Sequence, residues 1–72
     1  MKKFKLMKWV FMGEDASPSE FIVEGSLIDI TDYAKANRLS FHPLPYHLAG
    51  GYYTKPIDQH TADAFEVVPI GG

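Results

Sequence analysis

The chain has no cysteine. That single absence excludes disulfide staples, thiolate zinc sites and cysteine nucleophiles together. Long hydrophobic runs are also missing. Trp9–Met12 spans four apolar residues, against the roughly 7–15 of a signal-peptide core and the ~20 of a membrane span. The sequence therefore predicts no targeting segment, no membrane partner and a cytoplasmic protein. Neither sign of charge is in large excess: seven bases against nine acids give a net charge of −2. This excludes a polybasic nucleic-acid binder and a polyacidic nucleic-acid mimic. Finally, 72 residues leave room for one domain, 1–72, and none for a doubly wound nucleotide-binding fold or a TIM barrel.

Apolar residues make up 46% of the chain, which is enough for a packed core and too much for a disordered tail. Lys3–Met12 reads as a strand because Phe4 and Leu6 alternate with Lys3 and Lys5. If Phe4, Leu6, Val10 and Met12 face the core, then Met7, Trp9 and Phe11 lie on the opposite side. A helix covers that side, or it is an exposed patch that pairs with a partner or with a second copy. Gly13–Ser17 reads as a loop. Ser17-Pro18-Ser19-Glu20 then carries a helix start, with Ser17 as cap, Pro18 in the first turn and Glu20 reaching back. A short helix Pro18–Glu24, stopped by Gly25, follows from it. The run Phe21-Ile22-Val23 supports the alternative, a second strand paired with the first.

Further along, Leu27–Ile30 reads as extended, and Thr31 caps a second helix, Asp32–Arg38. Ser40–Gly51 reads as a loop whose Phe41, Leu44, Tyr46 and Leu48 cover the core. Gly51–Lys55 and Phe65–Ile70 read as strands, with Pro56–Ala64 as a loop and Gly71-Gly72 as a frayed end. The expected fold is thus α+β: a small antiparallel sheet of about three strands with two short helices on one face.

Charge is segregated along the chain. Lys2, Lys3, Lys5 and Lys8 are four of the seven bases, whereas six acids and no base lie between Trp9 and Ala34. An ordinary reading is a basic strand edge and acids at helix starts. A functional reading is an acidic face that docks on a basic partner. The lysines with Trp9 could also track phosphates and stack a base, but the neighbouring acids repel the same backbone. The three histidines, His42, His47 and His60, lack any metal-ligand spacing. Asp58-Gln59-His60 offers a base and an orienter without a nucleophile motif. Gly50-Gly51 lacks the lysine of a phosphate loop. No catalytic residue, metal or cofactor is therefore assigned.

Ser17–Pro43 resembles a family of uncharacterised small proteins carried on plasmids, integrative elements and phages. The matching positions are Ser17, Glu20, Ile22, Glu24, Gly25, Leu27, Ile28, Asp29, Ile30, Thr31, Ala34 and Lys35, then Phe41 and Pro43. The resemblance implies a mobile-element gene context and carries no chemistry to transfer. The expected function is a small non-catalytic binding protein. It would inhibit a host defence or nucleic-acid-processing enzyme by occlusion, in the manner of an anti-CRISPR or anti-restriction protein. The expected contacts are Trp9, Glu14, Asp15, Glu20, Glu24, Tyr52 and Tyr53. The alternative is a nucleic-acid-binding accessory protein that uses the basic N-terminal strand.

Overall fold

The computed structural model describes residues 3–47 and 49–70. Lys2, Leu48 and Gly71-Gly72 lie outside them. The chain order is β1 (Lys3–Met12), β2 (Asp15–Gly25), α1 (Leu27–Ala36), β3 (Ser40–Pro43), β4 (Gly51–Pro56) and β5 (Ala62–Ile70). The strands form one antiparallel sheet in the order β2-β1-β5-β4-β3. Among the described residues this corrects the expected three strands and two helices to five strands and one helix.

Each difference has a local cause. Pro18–Glu24 is strand because Phe21, Ile22 and Val23 fit a pleated, half-buried surface. Pro18 is tolerated because β2 is an edge strand and Pro18 adjoins one of its two irregularities in register. The Ser17 hydroxyl lies 3.2 Å from that of Ser19 instead of capping a helix. Gly13 and Glu14 form a tight turn between Met12 and Asp15, and Gly13 takes φ 66°, which glycine adopts without penalty.

Ser26, not Thr31, caps the helix. The Asp29 amide donates to Ser26 Oγ at 3.2 Å, and the Ser26 amide donates to Asp29 Oδ2 at 3.0 Å. This reciprocal box satisfies two amides where Thr31 would satisfy one. Thr31 instead donates to the Leu27 carbonyl one turn back. Ser40–Pro43 is strand because it pairs with Gly51–Thr54.

At its other end the helix closes in a Schellman motif. The Leu39 amide donates to Ala34 O at 2.8 Å and the Arg38 amide to Lys35 O at 3.2 Å. Arg38 occupies the left-handed position at φ 59°, where glycine is the usual residue. Arg38→Gly is therefore expected to stabilise the fold by roughly 0.5–1 kcal/mol, seen as a melting temperature a few degrees higher. An unchanged or lower value would contradict this account of the cap.

The core lies between α1 and one face of the sheet. Phe4 and Leu6 of β1, Phe65 and Val67 of β5 and Tyr53 of β4 pack with Ile30 and Ala34 of the helix. Because β2 is irregular opposite Leu6 and Met7, Ile22 and Val23 both pack against this cluster. Val10 is only half-buried and Met12 is 76% exposed, so the apolar side of β1 outruns the core. The cause is pairing: β5 accompanies β1 only from Lys3 to Lys8, whereas β2 continues to Met12. Trp9–Pro18 is thus a two-stranded arm extending past β5. Among the described residues no helix covers the face that carries Met7 and Trp9.

Candidate functional site

The seven expected contact residues fall in four places. Glu14 sits in the turn at the tip of the arm, and Asp15 opens β2 opposite Met12. Phe11, 74% exposed, and Met12 flank these two acids. Glu20 and Glu24 lie further along the free edge strand and are partly neutralised across the β1–β2 ladder. Lys8 Nζ is 3.9 Å from Glu20 Oε2 and 3.5 Å from Asp63 Oδ2, while Glu24 stands opposite Lys5.

Trp9 is half-buried on the uncovered face of the sheet. Tyr52 is on the same face but in β4, with β5 between β4 and β1. Tyr53 is a core residue, 7% exposed and tilted against Phe41 at a ring separation of 5.2 Å. Its burial removes it from the contact set. The alternation of strand side chains explains the split: adjacent tyrosines in a strand must face opposite ways.

A ladder of paired positions runs across the uncovered face, from Phe21 through Met7, Glu66 and Tyr52 to His42. Its polar members are already engaged. His42 stacks on Tyr52 at 5.0 Å and places Nε2 2.7 Å from Thr54 Oγ1. His47 Nδ1 accepts the Ala49 amide at 3.2 Å, and its Nε2 lies 3.5 Å from Glu66 Oε1. The Ala49 amide thus orients the His47 ring, with Nε2 turned toward Glu66. Among the described residues no three His, Asp or Glu side chains gather at metal-binding distance.

Comparisons with protein-family models, curated proteins and solved structures find no match. Among the described residues no helix is long and apolar enough to cross a membrane.

Asp58, singled out in the sequence beside His60, has a structural task. Its Oδ1 accepts the amides of His60 at 2.7 Å and Thr61 at 2.9 Å, closing the β4–β5 turn. The His60 amide foremost, then Thr61, holds the carboxyl below its ordinary range. A carboxyl lowered on folding contributes stability above its unfolded pKa and loses it as pH falls through the folded value. Asp58→Ala should therefore lower the melting temperature at neutral pH. The gap to wild type should close as pH drops below about 4. A gap that persists in acid would show that the carboxylate charge is not what holds the turn.

A feature missed in the sequence lies on the covered face. α1 packs on β1 and β2 and leaves a groove toward β4 and β3 of about 440 Å³. Its walls bring together residues from the helix, Leu39, Phe41, Ala49 and β4–β5. Only the apolar character of Phe41 marked it beforehand, in a segment read as loop.

Proposed function

We propose that the protein is a non-catalytic binding module that occludes a host enzyme with its β1–β2 arm. The observation that carries this reading is the arm itself. It offers Phe11 at 74% and Met12 at 76% exposure beside the acids Glu14 and Asp15. Large exposed apolar side chains on a small domain mark interaction sites. Acids around them favour a partner whose pocket has a basic rim, and they speed the encounter by charge. Nucleic-acid-processing enzymes have such rims, because they must neutralise phosphates. The mobile-element resemblance supports a defence enzyme in the cytoplasm of the host cell.

The test is capture from nuclease-treated bacterial lysate with tagged wild type and with Glu14→Lys/Asp15→Lys. Wild type should retain one stoichiometric host protein, and the variant should lose it at an unchanged melting temperature. Equal capture by both, or none by wild type, would overturn the reading.

A second reading has its own observation. Lys5, Trp9 and Tyr52 share the uncovered face, a platform on which a single strand could stack. Glu24 opposite Lys5 and Glu66 between Met7 and Tyr52 weaken its field. This reading predicts a gel shift at low salt that fades steeply with added salt and is lost in Trp9→Ala. No shift at low salt would dispose of it.

A further inference from the structure

We infer that the groove between α1 and the β4–β3 side of the sheet binds a free aliphatic carboxylate of medium chain length. This inference is independent of the arm-docking reading, because the groove and the arm share no residue. Three observations carry it.

The first is shape and lining. The space is about 440 Å³, within the roughly 300–1,000 Å³ of small-molecule sites. Leu27, Ile30, Ala34, Leu39, Phe41 and Val67 give it an apolar wall. The space exists because the ten-residue helix leans on β1 and β2 and cannot also cover β4.

The second is charge. Lys35 lines the groove, is exposed, and makes no ion pair among the described residues. Among those residues no acid lines the groove. A lone ammonium on the wall of an apolar slot is complementary to one anionic head on an apolar tail.

The third is Tyr53. It is 7% exposed, lines the same groove, and its hydroxyl makes no hydrogen bond among the described residues. The hydroxyl itself stays in contact with solvent, since among the described residues no buried side-chain oxygen lacks a partner, and a carboxylate oxygen entering the groove would accept its hydrogen bond. A plain hydrocarbon would leave Lys35 and Tyr53 unused. A fully polar ligand would gain nothing from the apolar wall.

The experiment is a titration of the whole chain with hexanoate, octanoate and decanoate below their micelle concentrations, followed by methyl NMR. Saturable binding should shift the methyls of Ile30, Ala34, Leu39 and Val67. The affinity should tighten about fourfold for each added methylene. Octanoate should bind more tightly than octanol. Lys35→Ala should abolish that preference without changing the melting temperature. Thr31→Trp, at an exposed helix position that lines the groove, should block binding while the fold persists.

Absence of saturable binding, affinity independent of chain length, or shifts confined to other residues would overturn the assignment. So would a carboxylate preference that survives in Lys35→Ala. Self-association that protects the same methyls, without affinity for decanoate, would assign the groove to a second copy instead. Binding to phosphatidylglycerol vesicles without affinity for free decanoate would assign it to a lipid surface.

Discussion

Replacing Leu6 with alanine is expected to remove about 2–5 kcal/mol of stability. A chain of this length holds only about 4–10 kcal/mol in total, so the variant should be largely unfolded at moderate temperature. Among the described residues, Leu6 and Ile30 are the two large side chains with no exposed surface. Leu6 sits where the layers meet, paired with Val23 on one side and Val67 on the other. Deleting its branched end leaves a hole that neighbouring strands, fixed by their ladders, cannot close. Leu6→Met keeps the volume and should cost less than about 1.5 kcal/mol. Urea denaturation of the two variants separates a packing loss from a general intolerance of change at this position. If alanine costs no more than methionine, the core is not centred on this residue.

The second large effect concerns Gly51, which opens β4 opposite Pro43. A Cβ there would collide with the His42 carbonyl oxygen and stand 2.8 Å from the tip of the Phe41 ring. The carbonyl belongs to the β3–β4 ladder and cannot turn aside without breaking it. Gly51→Ala should therefore cost about 3 kcal/mol and release β3. The reporter is the Phe41–Tyr53 contact: loss of ring-current shifts on the Tyr53 signals, with a lower melting temperature, is the expected result. A variant that keeps both would show that the two strands approach less closely than their geometry indicates.

Much of the strand pattern was legible in the residues. The bounds of β1 follow from the alternation of lysine with Phe4 and Leu6, and Tyr52-Tyr53 and Phe65–Ile70 mark β4 and β5. The two helix errors share one origin. Ser17-Pro18-Ser19-Glu20 and Thr31-Asp32 are genuine local cap signals, but each competes with something stronger. For the first it is a pairing partner seven to twelve residues back, which a local motif does not register. For the second it is Ser26 with Asp29, a box that begins five residues earlier. The glycine-first turn at Gly13-Glu14 is a readable hairpin signal between two runs of strand-forming residues.

The candidate contact residues were legible as types and not as a set. Exposed acids at Glu14 and Asp15 follow from composition and position. Which tyrosine faces outward depends on the register of β4 against β5, and that is set by the whole sheet. The groove was illegible for the same reason. Its walls come from segments that meet only because the helix is too short to cover five strands.

The position of β5 has a bearing on how the protein is made. This strand, the last in chain order, lies between β1 and β4 and joins the β1–β2 hairpin to the β3–β4 pair. Leu6 therefore waits for Val67 throughout translation of the intervening residues, about 3–12 s at ~5–20 residues per second. During that interval the nascent chain displays Phe4, Leu6 and Met7 without their final neighbours in β5. Lys3, Lys5 and Lys8, spaced through this stretch, then act as gatekeepers that keep it from associating with other chains.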